Sequence, residues 1–521
     1  MATRRNGGWR RPAEKRSVRP QVAGPPPPGA GRAATPAGEL LDMAQAIGLL
    51  KTSRPTFYRW LRTGKIKAMK VGRQWRFYRE DIERFLKGQE PRIELRADPT
   101  PLVNTLAKRL EELGVKEAAA GEGDEVARAV SLMIRLGVAM QASDFHIEPY
   151  TREGAEGAVA VLRYRVDGVL HPAAEIDIRL LPAIDERFKT LAACDVREKV
   201  RPQDGRILAR LADTGRLMDL RVCFVPSLLG PSLTARVLDP DVVRLLDLDR
   251  INYSPRDKER LIRWLHAPWG TIIVTGPTGC GKTTVIYACL RHLASPERKL
   301  MSIEDPVEVL LPGVVQVPVR PQDGVTFATA LRSFLRSATN VIHVGEIRDF
   351  ETLQIVHQAS LTGHLLLTTL HADEAARALK RMVEIGSDPF LVADSTKLII
   401  AQRLIRRLCP DCCVEDEPAG SQLAQAAELA RAGGLDWAAL PKSFRAPQGC
   451  EKCHQTGFRG RDVIAEALEV TPEIGAALRR GASIDELRTI AVGQGMTTMA
   501  ADGVRRAAAG TTSLEEVLRA L

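Results

Sequence analysis

Apolar residues change their spacing several times along this chain, and the changes divide it. Leu41 to Leu50 reads as a short helix. Ser53 can cap a second helix, with Pro55 in its first turn and Phe57, Trp60 and Leu61 as the buried stripe. Arg54, Thr56, Arg59 and Arg62 then face outward. Lys65 to Phe77 alternates around Gly72 and predicts a β-hairpin, and Glu80 to Leu86 closes the module as a helix. From Asp124, a helical set of Val126, Val130, Met133, Ile134 and Val138 leads into Ala142 to Pro149. Strands are expected at Ala158 to Val166, around Arg206 to Leu211, at Leu217 to Phe224 and at Leu233 to Leu238, with Asp167-Gly168 and Gln203-Asp204-Gly205 as turns. That succession predicts an α/β domain with an antiparallel sheet, ending near Asp239. Short apolar runs follow at Thr271 to Thr275, before Glu304, at Val341 to Val344 and at Leu365 to Leu370.

Between the first two patterned regions, residues 89–123 are charged and Pro-interrupted, with one helical piece around Leu102 to Leu113; a linker is expected. Residues 1–39 are rich in Arg, Pro, Gly and Ala, with Pro25 to Pro28 consecutive, and predict a disordered basic tail.

The 521 residues suggest roughly three or four domains. A hydrophobic content of 45% and a charged content of 26% are those of a globular protein. No stretch approaches the roughly 18 apolar residues of a membrane span. The Arg-rich start lacks the apolar core of a secretory signal, so a cytoplasmic location is expected. The net charge of +10 is uneven. The first 88 residues hold twenty Lys and Arg against six Asp and Glu, so the remainder is net acidic. A polyanion would therefore meet the N-terminus.

Chemistry is concentrated after the apolar run 271–275. Gly276-Pro277-Thr278-Gly279-Cys280-Gly281-Lys282-Thr283 has the spacing of a phosphate-binding loop. Its glycines let backbone N–H groups curl around a phosphate, and the helix beginning near Lys282 adds partial positive charge. Lys282 can reach the β- and γ-phosphates, and the Thr283 hydroxyl can bind Mg²⁺. Glu304 and Glu346 each end a short apolar run, where ligands meet open α/β sheets, and are placed to face Mg²⁺ and the attacking water. His364 and His371 flank the run 365–370, at opposite ends of one buried element, and suit a γ-phosphate sensor. Cys409, Cys412, Cys450 and Cys453 form two C-x-x-C pairs whose sulfurs can complete a tetrahedral Zn²⁺ shell, with Cys413 spare.

Two resemblances follow. Residues 40–88, above all VGRQWRF and the acidic helix after it, resemble the winged helix-turn-helix of the MerR/excisionase class. That resemblance implies Arg54, Thr56, Tyr58, Arg59, Arg73 and Arg76 as DNA contacts, and a docking adaptor remains the other reading. From about residue 124 onward, ASDFHIEP, RYRVDGVL, RPQDGRI, GPTGCGKTT, SIEDPVE, VGEIRD, ASLTGHLLLTTLH and AQRLIRRLCP resemble, in order, the type II secretion and type IV pilus assembly ATPases of the GspE/PilB type.

This second resemblance implies a P-loop (RecA-like) NTPase domain at 240–408 preceded by the smaller α/β domain at 124–239. A four-Cys zinc subdomain at 409–462 and a helical region at 463–521 follow. It makes Gly276, Pro277, Thr278, Gly279, Cys280, Gly281, Lys282, Thr283 and Thr284 the phosphate cradle. Glu304 becomes the water activator and Glu346 the Mg²⁺ acid, and His364 and His371 form the histidine box. Arg206 and Arg221 of the preceding domain close onto the phosphates, and Arg332, Arg336 and Arg461 become arginines near the nucleotide or a subunit contact. It further implies ATP, Mg²⁺ and structural Zn²⁺, a homohexamer, and work on an inner-membrane platform protein from the cytoplasmic side. A DNA-uptake motor and a DNA-binding regulator with an ATP switch, both using the N-terminal helix-turn-helix, are the alternatives, and residues 1–88 are the expected place for a DNA or protein partner. Where the family often has Arg-Gln-Asp-Pro-Asp, this chain has Arg336-Ser337-Ala338-Thr339-Asn340, which is expected to alter a local contact.

Overall fold

The computed structural model describes residues 40–62, 66, 69–71, 74–86, 97–115, 124–151, 158–210, 215, 217–238 and 247–521. The expected basic tail and Arg73 lie outside them. The chain forms two compact units, Met1–Arg96 and Ala97–Leu521. Among the described residues no helix is long and apolar enough to cross a membrane.

In the first unit, Asp42 caps the helix Met43–Leu49 through a reciprocal capping box with Gln45. The Ser53 hydroxyl accepts the Thr56 N–H at the start of the helix Arg54–Arg62. Strands Met69–Val71 and Gln74–Tyr78 make the expected hairpin, joined by Leu40–Leu41 on the other edge of Gln74–Tyr78. Phe57 and Phe77 meet edge-on at 5.1 Å at the centre, beside Ala46, Ile66 and Ile82. The helix Arg79–Leu86 follows directly.

In the second unit, a six-stranded antiparallel sheet runs in the order Val169–Asp177, Ala158–Val166, Asp144–Thr151, Gly230–Leu238, Leu217–Ser227, Gln203–Arg210. Helix Glu125–Ala139 packs on it. So does helix Thr100–Glu112, which corrects the expected linker. Leu102, Val103, Leu106 and Leu110 fall on one helical face and are buried in the same core as Met133, Phe145 and Tyr164. This domain therefore begins well before residue 124.

The third layer of organisation is a seven-stranded sheet. Its order is Val314–Pro318, Leu300–Glu304, Val341–Val344, Leu365–Leu370, Gly270–Thr275, Thr396–Leu408, Phe458–Glu469. All pairings are parallel except the last, so one edge of the sheet collects the carboxyl ends of six strands. Apolar clusters cover both faces, which is why its central strands read as unbroken apolar runs. The final antiparallel strand crosses the expected boundary at residue 462. The cysteine region is thus an excursion between two paired strands, not a segment after the sheet. The helices Met499–Ala508 and Leu514–Ala520 pack against Gly420–Ala432 in a smaller core.

Candidate functional site

Strand Gly270–Thr275 is fully buried and ends in the glycine loop, and helix Lys282–Leu293 begins immediately after it. Gly276 has φ +143°, and a Cβ there would lie 2.4 Å from the Gln402 carbonyl oxygen, so only glycine fits. Gly281, at φ +87°, turns the chain into the helix N-terminus. The Cys280 thiol is buried, and Cys280 is absent from the lining of the cavity that the loop borders. Lys282 folds back onto the loop, its Nζ donating to the carbonyls of Gly276 at 2.8 Å and Pro277 at 3.0 Å.

The loop borders a cavity of about 730 Å³. Thr278, Gly279, Gly281, Lys282, Thr283 and Thr284 line it, together with Glu304, Glu346, His371 and Arg461. Glu304 is buried at the end of its strand, and its carboxylate accepts from Tyr287 Oη, Ser302 Oγ and, at 3.1 Å, Gln316 Nε2. Glu346 faces His371 Nε2 at 3.2 Å and pairs with Arg348, which also reaches Asp305 at 3.3 Å. Burial pushes the nearby Glu308 carboxyl above its ordinary range, against the pull of Arg221 and Arg236.

Several expected residues lie elsewhere. His364 precedes its strand and His371 follows it, so the six residues between them put His364 about 20 Å from the loop edge. Its Nδ1 sits 3.1 Å from the Ala359 carbonyl oxygen. Arg206 pairs with Asp219 at 2.6 Å, and Arg221 donates to the Val307 carbonyl at 2.7 Å. Arg332 bonds Glu351 at 2.7 Å, and Arg336 bonds the Arg332 carbonyl at 2.8 Å. None of these four arginines lines the cavity. Arg165 and Arg236 do, flanking Asp144 at 3.8 and 3.2 Å. Sequence reasoning passed over them, and over Arg348 and Glu308. The available signal was charge inside otherwise apolar strands and within the quoted motifs. The unusual stretch 336–340 is satisfied locally: Asn340 Oδ1 accepts the Lys299 N–H at 2.8 Å, and the Thr339 hydroxyl donates to the Phe334 carbonyl at 3.1 Å.

The four cysteines converge. Sulfur separations are 3.9 Å for Cys409–Cys450, 3.8 Å for Cys412–Cys453 and 3.6 Å for Cys450–Cys453. A tetrahedron with Zn–S bonds of about 2.3 Å has edges of about 3.8 Å, whereas a disulfide would need about 2 Å. The donor set fits zinc. Burial opposes ionisation of Cys453, but backbone N–H donors from Cys450 and Gly457 outweigh it and bring the thiol to about 7. Cys413 stands apart, bonded by Arg445 at 3.4 Å.

On the helix Arg54–Arg62, Arg54, Tyr58 and Arg59 are exposed, while Thr56 is half-buried with its hydroxyl 2.9 Å from that of Ser53. Arg76 is half-buried on the hairpin.

A family model described as Type II/IV secretion system protein matches residues 119–519, and one described as Helix-turn-helix domain matches residues 40–90. The chain is 40% identical over 398 residues to the Type II secretion system protein HxcR of Pseudomonas aeruginosa, covering 76% of this chain and 78% of that one. It is 36% identical over 441 residues to the Type IV pilus assembly ATPase PilB of Myxococcus xanthus, covering 84% and 75%. Its fold is similar to that of the Legionella pneumophila ATPase DotB, with a TM-score of 0.55 at 19% identity over 74% of this chain and 94% of that one.

Proposed function

The chain belongs to the type II/IV secretion ATPase family, an ATP-hydrolysing class, and from that premise we propose that it works as a Mg²⁺-dependent homohexamer. Its task in this reading is assembly of a type IV pilus or type II secretion pseudopilus, through an inner-membrane platform protein and from the cytoplasmic side. One observation carries the reading: the glycine loop, Lys282, Thr283, Glu304 and Glu346 border a single cavity at the carboxyl ends of parallel strands.

The chain's own residues divide the work. Loop N–H groups and the helix N-terminus hold the phosphates, and Lys282 exchanges its loop carbonyls for β- and γ-oxygens. Thr283 and Glu346 offer the hard oxygen donors that Mg²⁺ prefers. The ion, when bound, neutralises charge on the phosphate oxygens. Glu304 orients water and takes its proton. His371 steadies Glu346, and Arg461, Arg165 and Arg236 meet phosphate charge from the opposite wall. Arg206, Arg221, Arg332 and Arg336 are left to subunit contacts or to a closed state. Zinc on the four cysteines has a structural role.

The exposed Arg54, Tyr58 and Arg59 favour a second reading for the first unit, duplex DNA recognition by the helix Arg54–Arg62. Steady-state phosphate release from the purified chain, with and without Mg²⁺ and duplex DNA, tests both. Turnover that needs Mg²⁺ and is lost in Glu346→Gln supports the motor; its absence in the intact chain refutes it. DNA binding that weakens steeply with salt supports the second reading, and a flat response favours a docking adaptor.

A further inference from the structure

A second cavity, of about 890 Å³, adjoins the first and shares Gly281, Thr284, Leu404 and Arg461 with it. A nucleotide whose phosphates sit on the glycine loop extends past Thr284 into this space, which is large enough for a base and ribose. Its far wall is built by the cysteine excursion: Glu451, Cys453, His454 and Thr456 line it.

The wall and the loop are mechanically joined. Strand Thr396–Leu408 pairs with the loop strand Gly270–Thr275. In its middle, Gln402 Nε2 donates to the Cys280 carbonyl at 2.7 Å, and the Gln402 carbonyl abuts Gly276. Leu408 pairs with Phe458 at the end of the strand, the Cys409 N–H donates to the Gly457 carbonyl at 2.9 Å, and the excursion is thereby closed at its base. All four cysteines sit at this closure.

The wall segment itself is unusual. His454 and Gln455 both have left-handed backbones, at φ +50° and +62°, which non-glycine residues adopt only where surroundings enforce it. What enforces it here are bonds to the cysteine pair. The Gln455 N–H donates to the Cys450 carbonyl at 2.9 Å, and Cys453 Sγ accepts from the N–H groups of Cys450 at 3.1 Å and Gly457 at 3.2 Å. Sulfurs held in a tetrahedron would fix this turn, and free thiols would release it.

We propose that the cysteine knuckle is a wall of the nucleoside pocket, so that zinc and nucleotide binding are coupled. This rests on the nucleotide-binding reading above. Coupling is reciprocal: the factor by which zinc tightens nucleotide equals the factor by which nucleotide tightens zinc, and between linked sites that factor is typically about five- to 150-fold.

The test uses the full chain, with zinc release followed by a chromophoric chelator and ADP affinity followed by a fluorescent ADP analogue. Saturating ADP is expected to slow zinc release at least about fivefold, and Lys282→Ala, which cannot hold ADP, should lose that protection. His454→Gly removes a side chain that lines the wall, and keeps the left-handed turn that glycine adopts readily, without touching a sulfur; it should retain one zinc per chain yet weaken ADP binding by a similar factor. Because that variant keeps its metal, unfolding after zinc removal does not confound the result. A chain that binds ADP but releases zinc at the same rate with or without it overturns the coupling. So does a chain purified without zinc that still binds ADP tightly. A chain that binds no ADP at all overturns the nucleotide reading instead.

Discussion

Replacing Glu304 by Gln separates catalysis from folding. The carboxylate receives three donors, from Tyr287, Ser302 and Gln316, and is almost fully buried. Gln keeps one oxygen, which can still accept from Ser302 and Gln316. Its amide then faces the Tyr287 hydroxyl, which can turn to accept from it, since a phenol both donates and accepts. All three bonds lose their charge assistance, about 1.5–3 kcal/mol each becoming about 1 kcal/mol, but the cost of burying an ion disappears as well, so the fold should lose about 1–2 kcal/mol. A proton acceptor at the transition state contributes about 10²–10⁴-fold in rate, which corresponds to about 3–5 kcal/mol. The substitution should therefore slow phosphate release at least about a hundredfold while leaving fluorescent ADP binding nearly intact and the melting temperature only a few degrees lower. Phosphate release, ADP titration and thermal melting on one preparation read all three. Turnover within about threefold of the parent, with ADP bound normally, would show that the proton goes elsewhere and remove Glu304 from its role.

Other substitutions probe the loop, the opposing wall and the small core. Gly276→Ala places a methyl 2.4 Å from the Gln402 carbonyl oxygen; ADP binding should be lost in titrations, and retention within about twofold would contradict the packing argument. Arg236→Gln should raise the KM for ATP about tenfold, whereas Arg206→Gln, whose guanidinium is engaged by Asp219, should leave it unchanged. The reverse ranking in steady-state kinetics would mean that the working site is lined differently. Glu516 is buried, which opposes ionisation, but Arg406 and Arg519 outweigh that and hold its carboxyl at about 2, below the ordinary 4.5. A depressed carboxyl stabilises the fold above its ordinary value, and the contribution disappears as pH falls toward the folded one. Glu516→Gln should thus cost about 3 kcal/mol in urea unfolding at neutral pH and nothing near pH 2. A deficit that persists at low pH would assign the effect to packing.

How much of this was legible depends on whether a feature is local. The glycine loop, its helix and the acids at strand ends are encoded within a few residues, and the structure places Lys282, Thr283, Glu304, Glu346 and His371 around one cavity. The cysteine pairs were equally readable, because two C-x-x-C turns have one economical use. His364 lies away from the loop for a geometric reason: a six-residue parallel strand carries its flanking residues to opposite edges of the sheet, and the glycine loop is at only one. The four arginines that do not line the cavity came from resemblance alone, and nothing in their local sequence says which face of a second domain meets the loop. Helix Thr100–Glu112 was hidden by its flanks. Its stripe of Leu102, Val103, Leu106 and Leu110 has core spacing, but Pro99, Pro101 and the charges around them read as linker.

The same distinction explains the charge pattern of the cavity. Three of the acids there are paired with cations, Glu346 and Asp305 with Arg348 and Asp144 with Arg165 and Arg236, while Glu304 is held by neutral donors alone. Lys282, by contrast, rests on neutral carbonyls. Entry of phosphates therefore costs little at Lys282, which exchanges carbonyls for anionic oxygens, and more at Glu346, which must leave Arg348 before it can face a metal. Pairing of this kind resists occupancy by either a lone cation or a lone anion. In the proposed reading Glu346 would hold the metal while Arg348, Arg165 and Arg236 met phosphate oxygens, so that a metal–phosphate complex would relieve both conflicts together. On that reading the arrangement would favour the metal-bound nucleotide over its parts.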